Sequence, residues 1–322
     1  MKALYLPMLA GAWLLAACGG GSNAPRETVR SGTLHVAVDE SLQPVFEAGL
    51  ASFRFSSPEA EVVAHYVPEA EAVRLFMSDS CPLVALSRPL TSDETAWFRT
   101  EKRFTPQSTW LLNDAVAVVA HPSRPDTALT TDQLARLLRG EVGRWDEIGS
   151  TGRDSVRIVV AGAGSSPLRS LRDSLLAGQL PGARVFALDS TPALLDYVAT
   201  HPAALGLVGF AWLSDDDREA VRQWRSRVKL VAVAGLGNSR PIHLTDHPLN
   251  ALSSSRANLR YPLRRRVYLH NRQARTGLAL GVAAYLAGQE GQRIVAKANL
   301  VPTTGVIRLV EVQEQAVPRL KP

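Results

Sequence analysis

The chain has 322 residues, a formal net charge of +6 and only two cysteines. A length of this order is sufficient for two α/β lobes of ordinary size. The positive charge is carried mostly by arginine, which suits bidentate binding of oxyanions, although a codon preference for arginine explains most of these residues more simply. No basic run is interleaved with aromatic residues, so the sequence gives no indication of nucleic-acid binding.

The N-terminus has the pattern of an export signal. Met1 and Lys2 precede an apolar run at residues 3–17, which is shorter than the ~20 residues of a membrane-spanning helix. The run ends in Leu-Ala-Ala-Cys at residues 15–18, which resembles the lipobox of bacterial lipoproteins. This resemblance implies a signal peptide at residues 1–17, acylation of Cys18, and a flexible tether at residues 18–31. The alternative is an ordinary signal peptide that happens to contain a cysteine.

The remainder alternates short apolar segments with amphipathic ones, a pattern typical of an α/β protein. The sequence predicts strands at residues 33–38, 61–67, 83–87, 114–120, 157–161, 206–210 and 230–234. It predicts helices at residues 42–54, from residue 131 with a cap at Thr130 or Thr131, at 274–286, and from about residue 289. The strand at 114–120 is apolar nearly throughout, as expected when both faces are buried. Cys81 precedes an apolar strand and is interpreted as a buried packing residue.

Small polar residues follow three of the predicted strands, at residues 39–41, at Ser87 and Arg88, and at residues 164–167. Such junctions favour anion binding because free N–H groups at a helix start point outward and the helix dipole adds positive charge. The carboxyl ends of strands are also where α/β proteins bind ligands. The first and third junctions alone are equally well explained as a helix cap or a turn, and Arg88 alone is more simply explained as a surface arginine. The three together favour a binding site.

Longer motifs resemble the phosphate-binding (PstS-like) family of periplasmic solute-binding proteins. The most specific is Leu-Thr-Thr-Asp-Gln-Leu at residues 129–134, which continues through Leu-Arg-Gly at 138–140 to Trp-Asp-Glu-Ile-Gly at 145–149. The segment 261–269, beginning Tyr-Pro-Leu, is similar to a strand near the hinge of that family, and residues 300–302 are similar to the end of its last lobe. The resemblance covers residues 31–308.

This resemblance implies a type II periplasmic-binding-protein fold, an α/β architecture in which hinge strands join two lobes around a ligand cleft. The implied first lobe comprises residues 32–115 and 225–310, and the second lobe residues 116–224. A C-terminal tail follows at residues 311–322. The ligand loops depart from the best-known members. The first junction reads Asp-Glu-Ser, the second loop, at residues 68–72, is acidic, and Arg88 stands where an aspartate is usual. The chain therefore resembles a divergent branch.

The resemblance also implies a set of anion ligands, with serines as donors, arginines as cations and a carboxylate that accepts the proton of hydrogen phosphate. Sulfate has no such proton, so a carboxylate facing it would be repelled. The implied residues are Ser41, Glu69, Glu71, Ser87, Arg88, Ser165, Ser166 and Arg169. Asp39 and Glu40 are substitutes for the carboxylate role.

The expected function is an extracytoplasmic, lipid-anchored receptor, monomeric and without cofactor or metal, that delivers inorganic phosphate to an ABC transporter permease. A receptor for another oxyanion and a signalling subunit of the same fold are alternatives. A hydrolase is a further alternative that would use Ser165 or the pair His243 and His247. Those histidines lie in proline-flanked loop sequence, which disfavours a zinc site, and no common catalytic motif is present.

Overall fold

The computed structural model describes residues 27–182, 184–235, 240–273 and 276–304. The strands are β1 (Gly32–Asp39), β2 (Ala60–Val67), β3 (Leu83–Leu86), β4 (Gln107–Ala120), β5 (Ala128–Thr130), β6 (Arg157–Ala161), β7 (Val185–Leu188), β8 (Ala204–Gly209), β9 (Lys229–Ala234), β10 (Arg264–Asn271) and β11 (Val301–Pro302). The helices are α1 (Gln43–Ser56), α2 (Glu69–Met77), α3 (Ser92–Glu101), α4 (Thr131–Arg139), α5 (Ser166–Leu175), α6 (Thr191–Thr200), α7 (Glu219–Arg227), α8 (Pro248–Ser253), α9 (Leu278–Ala287) and α10 (Gln289–Lys297). Short 3-10 turns connect several of these elements.

The first lobe is built on a mixed sheet with the strand order β2-β1-β3-β10-β4. Strand β1 is parallel to β2 and β3, whereas β10 runs antiparallel to both β3 and β4. Helices α1, α2, α9 and α10 pack against these strands and one another. Strand β3 is buried along its whole length, as expected for a central strand covered on both faces.

The second lobe is built on the C-terminal half of β4, which pairs antiparallel with β8 and β9. Strand β6 lies between β7 and β8 and is parallel to both. Strand β9 also pairs with β5, so residues 229–234 belong to this second sheet. The second lobe therefore extends at least to the end of β9, beyond the boundary expected at residues 224/225.

Two neighbouring crossings join the lobes. Strand β4 pairs with β10 through Ala115 and with β8 from Val116 onward, so a single strand runs through both sheets. The return crossing lies beside it, because the Val116 amide donates to the Leu263 carbonyl at 2.9 Å and the Tyr261 hydroxyl donates to the Val116 carbonyl at 3.1 Å. Paired crossings of this kind form a hinge about which two lobes can close.

Most predicted elements are present, with differences at specific places. Thr130 caps α4 in a reciprocal capping box with Gln133, and Cys81 is buried with 1% of its surface exposed. Residues 68–72, expected to form an acidic ligand loop, instead contain the start of helix α2, which runs from Glu69 to Met77. Strand β4 begins at Gln107, well before the apolar run that predicted it, because β10 pairs with its more polar first half.

The predicted signal peptide, Cys18 and the C-terminal tail at 311–322 lie outside the described residues, as does most of the tether. Within the described ranges, no helix is both long and apolar enough to cross a membrane.

Candidate anion-binding site between the lobes

The centre of the cleft is a buried ion pair formed by Arg265 and Asp114. At the start of β10, Arg264 and Arg266 are exposed. Arg265, between them, is directed inward, and only 5% of its surface is exposed. Its Nε and Nη2 donate to Oδ2 of Asp114, on β4, at 2.9 and 2.7 Å. The other carboxylate oxygen of Asp114 accepts from the backbone N–H of Ala211 at 3.1 Å. Burial raises the pKa of Asp114, and the adjacent guanidinium of Arg265 opposes that rise.

Two serine hydroxyls, one from each lobe, meet at the same guanidinium. Arg265 donates through Nη1 to Ser166 Oγ at 2.6 Å and through Nη2 to Ser41 Oγ at 2.8 Å. The two hydroxyl oxygens are 2.9 Å apart. Ser41 follows β1 in the first lobe, and Ser166 is the first residue of α5 in the second. The guanidinium therefore connects the two lobes at a helix N-terminus, where an anion is favoured.

Asp39 places a carboxylate beside this cluster. Its Oδ1 accepts from the Ser41 backbone N–H at 3.1 Å, while its Oδ2 is buried and has no hydrogen-bond partner in the described part of the chain. Burial raises the pKa of Asp39 to about 6, against the opposing effect of Arg265. The Oγ of Ser165 is likewise buried and unpartnered among the described residues. The cluster thus contains both an acceptor and a hydroxyl that are available to a ligand.

Glu69 organises a second cluster next to the first. The first residue of α2, it accepts from the Ser87 backbone N–H at 3.2 Å and from Ser87 Oγ at 2.9 Å. It also accepts from Arg88 Nε at 3.3 Å and from Nε of Arg169, which reaches across from α5. The terminal nitrogens of Arg88 are bound to Glu94 at 2.8 and 2.7 Å. The charge of Arg88 is therefore matched by two carboxylates of its own lobe.

The remaining predicted carboxylates have other partners. Both oxygens of Glu40 accept from Thr191 at the start of α6, from the backbone N–H and from Oγ1, each at 2.9 Å. Glu71 pairs with Arg74 one helical turn further along α2 and is partly exposed. The structure does not bring Glu71 into the cleft, because it lies on the solvent side of the helix whose first residue is Glu69.

The two lobes are in direct contact across these clusters. The Ala70 backbone N–H donates to the Gly164 carbonyl at 3.3 Å, and the contacts Ser41–Ser166, Glu69–Arg169 and Glu40–Thr191 also join the lobes. At Gly209, which ends β8, an added Cβ would lie 2.7 Å from Nη2 of Arg265 and closer still to the Ser41 carbonyl oxygen. The structure therefore represents a closed arrangement.

A cavity of about 490 Å³ lies beside α5, at the edge of the Glu69 cluster. Its apolar lining includes Val160, Leu168 and Val185. Glu69, Arg88, Ser165, Arg169 and Arg172 are its polar residues. The cleft thus continues from the charged clusters into a space with an apolar floor.

The structure brings together Ser41, Glu69, Ser87, Arg88, Ser165, Ser166 and Arg169, as expected for strand ends at one edge. Sequence reasoning missed Arg265 and Asp114. Two signals pointed to them: a charged residue at the inward position of an alternating strand, and an aspartate beginning an apolar run. Asp39, named only as a substitute acceptor, accepts a hydrogen bond directly from the Ser41 backbone N–H.

Metal and hydrolase sites find no support in the described residues. No group of three or more His, Cys, Asp or Glu side chains able to hold a metal ion occurs there, including around His243 and His247. Nor does any histidine of the described ranges form a hydrogen bond with Ser41, Ser87, Ser165 or Ser166.

The two lobes, the paired crossings and the polar cleft define a protein of the periplasmic-binding-protein class, which confirms the fold predicted from the sequence. The chain belongs to the PBP superfamily domain family, whose profile matches residues 23–290.

Several proteins whose names place them in this class are similar to the chain. The phosphate-binding protein PstS of Bacillus subtilis is 22% identical over 316 residues, covering 94% of this chain and 93% of the relative. A putative phosphate ABC transporter substrate-binding protein from Clostridium perfringens, solved with bound phosphate, has a TM-score of 0.67 at 18% identity and covers 85% of this chain and 100% of that one. An ABC-type phosphate transport receptor from Vibrio cholerae has a TM-score of 0.60 at 16% identity, with 83% and 99% covered. The resemblance to the PstS-like family is confirmed, and the binding-protein names agree with the expectation that the chain is not an enzyme.

Proposed function

We propose that this protein is an extracytoplasmic receptor that binds inorganic phosphate between its lobes and presents it to an ABC transporter. The observation that carries the proposal is the convergence of Arg265, Ser41 and Ser166 from both lobes on one buried point, next to the unpartnered oxygen of Asp39. A guanidinium and hydroxyls donate to oxyanion oxygens, and a carboxylate accepts the proton that phosphate carries. The names of the relatives in Bacillus, Clostridium and Vibrio support the same ligand.

Calorimetric titration of the purified protein, freed of bound ligand, with phosphate, sulfate and molybdate tests the proposal. Saturable binding of phosphate with little response to sulfate is expected, because only phosphate offers a proton to Asp39. If none of the three anions bound, the proposal that the cleft binds phosphate would be wrong. A preference for sulfate or molybdate would assign a different oxyanion to the cleft.

A receptor for an organic phosphate is the second candidate, and the cavity of about 490 Å³ beside α5 favours it. The apolar floor of this cavity suits a carbon substituent attached to an anion held by the charged clusters. Titration with glycerol 3-phosphate distinguishes the two. Tighter binding of the ester than of inorganic phosphate would support the second candidate, and weaker binding the first.

The substitution Gly209→Ala tests whether lobe closure accompanies binding. The added methyl group would collide with the Ser41 carbonyl and with Arg265, so we expect phosphate affinity to fall by about tenfold or more. The radius of gyration from X-ray scattering is expected to increase. Gly235→Ala is the matched control, because its Cβ would meet Pro262 at an ordinary 3.5 Å. Wild-type affinity in Gly209→Ala would contradict the closed arrangement as the binding form.

The lipid anchor is the other part of the proposal, and the Leu-Ala-Ala-Cys sequence at residues 15–18 supports it. In cells, Cys18→Ala is expected to lose incorporation of a labelled fatty acid, because the acylated thiol is removed. Since an acyl chain provides the membrane affinity, the protein is also expected to leave the membrane fraction. Labelling that persists in Cys18→Ala would show that this cysteine is not the attachment point.

A further inference from the structure

The outer face of β10 carries a separate cluster of positive charge. Arg264 and Arg266 point to the side opposite Arg265 and are exposed. Together with Arg260 they line a cavity of about 410 Å³. Trp110, Asn113, the serines at residues 253–255 and Arg265, which lies between the two exposed arginines on β10, complete the lining. We call this cavity the outer arginine pocket.

Arg264 and Arg266 are held by neutral groups. Nη1 of Arg264 donates to the Ser254 carbonyl at 3.4 Å. The guanidinium of Arg266 stacks on the Trp110 ring, 4.4 Å from its centroid, and the indole N–H is fixed by the Leu112 carbonyl at 3.2 Å. These contacts orient the side chains but leave their charge uncompensated.

No carboxylate lines the pocket. Arg265 is paired with Asp114 on the other side of the sheet, whereas within the described ranges Arg260, Arg264 and Arg266 take part in no ion pair. This distinguishes them from exposed arginines elsewhere, such as Arg222, which pairs with Glu219, and Arg227, which pairs with Asp196. Partial burial lowers the pKa of Arg264, and the charges of Arg260 and Arg266 lower it further. Three cations placed together repel one another unless an anion is bound between them.

We propose that the outer arginine pocket binds an anion that carries more than one phosphate group. Arg264 and Arg266 are two positions apart on one strand face, which places their Cα atoms about 7 Å apart. Guanidinium groups bind phosphate oxygens in pairs, and the serine hydroxyls lining the pocket are additional donors. The volume exceeds what a single phosphate needs. The same chemistry occurs in a soluble oligophosphate and in a phospholipid headgroup with two phosphates, such as cardiolipin, and experiment separates the two sources.

Calorimetric titration with tripolyphosphate, with inorganic phosphate in excess, tests the soluble source. Binding that weakens with added salt is expected, and the double variant Arg264→Gln/Arg266→Gln is expected to lose at least tenfold in affinity. The matched control is Arg222→Gln/Arg227→Gln, which removes two paired exposed arginines and is expected to bind as wild type. Thermal unfolding by circular dichroism confirms that both variants are folded.

Flotation with phosphatidylcholine vesicles, with or without cardiolipin as the anionic lipid, tests the lipid source in the wild type and in the same two double variants. Binding to anionic vesicles alone, lost in Arg264→Gln/Arg266→Gln, assigns the pocket to lipid headgroups. Binding to tripolyphosphate alone, lost in the same variant, assigns it to a soluble anion. Absence of both, or binding that the double variant leaves unchanged, overturns the proposal. None of these outcomes depends on whether the cleft binds phosphate.

Discussion

Replacing Arg265 by methionine is expected to abolish phosphate binding in the cleft and to lower the free energy of unfolding by about 3–5 kcal/mol. Among the described residues, Arg265 is the one side chain that compensates the charge of Asp114, whose surface is 0% exposed; its other partners are backbone N–H groups. Without the guanidinium, a buried carboxylate stays uncompensated, and the hydroxyls of Ser41 and Ser166 lose the donor that holds them together. Denaturant unfolding and calorimetric titration measure the two effects.

A double variant separates the binding role of Arg265 from its structural role. In Arg265→Met/Asp114→Leu both charges are removed, and replacing a buried ion pair by apolar residues is often neutral for stability. We expect this variant to recover most of the lost stability and none of the binding. If phosphate binding also returned, Arg265 would be a structural residue and not a ligand-binding one.

Arg227→Gln provides the control for loss of an arginine as such. Arg227 pairs with Asp196 at the surface, where both side chains are about half exposed, at 46% and 56%. Exposed ion pairs of this kind contribute little to stability. We therefore expect the free energy of unfolding to change by no more than about 0.5 kcal/mol and phosphate binding to be unaltered. If Arg227→Gln lost as much stability and phosphate affinity as the Arg265 variant, net charge and not the buried ion pair would be responsible for both effects.

The sequence predicts where the site lies because the physics involved is local. Polar residues directly after β1 and β3 and before α5 mark strand ends, and parallel strands bring their carboxyl ends to one edge. Ser41 and Ser87 could therefore be assigned to one edge without knowledge of the sheet order, whereas Ser166, in the second lobe, was assigned to the same cleft through the resemblance to two-lobed binding proteins. The fold class follows from the same alternation of strands and helices.

The ion pair at the centre could not be predicted in this way, because it depends on strand register. Asp114 and Arg265 are 151 positions apart and face each other only because β10 pairs antiparallel with β4 in the observed register. A shift by one residue would direct Arg264 or Arg266 inward instead. Sequence patterns show that one arginine of the three is buried, but not which strand it meets. Glu71 was misplaced for a related reason: residues 68–72 were interpreted as a loop, but Glu69 and Glu71 lie on a helix, whose periodicity turns them to different sides.

Replacing Asp39 by asparagine is expected to weaken the preference for phosphate over sulfate by about tenfold or more, since an unpaired buried acceptor or a like-charge contact costs on the order of 1.4 kcal/mol or above. The ionised carboxylate accepts the proton of phosphate but repels the oxygens of sulfate. An asparagine amide presents a donor to either anion, so the preference for phosphate should weaken mainly because sulfate binds more tightly. Titration of the wild type and of Asp39→Asn with both anions at about pH 8 measures this preference.

The pH dependence supplies the decisive comparison. Because the pKa of Asp39 is raised to about 6, the side chain is ionised above that pH and protonated below it. A protonated Asp39 donates a hydrogen bond, so wild-type protein at about pH 5 should accept sulfate more readily, and its preference for phosphate should increase as the pH rises through 6. In Asp39→Asn this step should be absent, because an amide does not titrate. A step of equal size in both proteins would place the responsible group elsewhere, in the phosphate itself or in Glu40, whose pKa is also raised by burial.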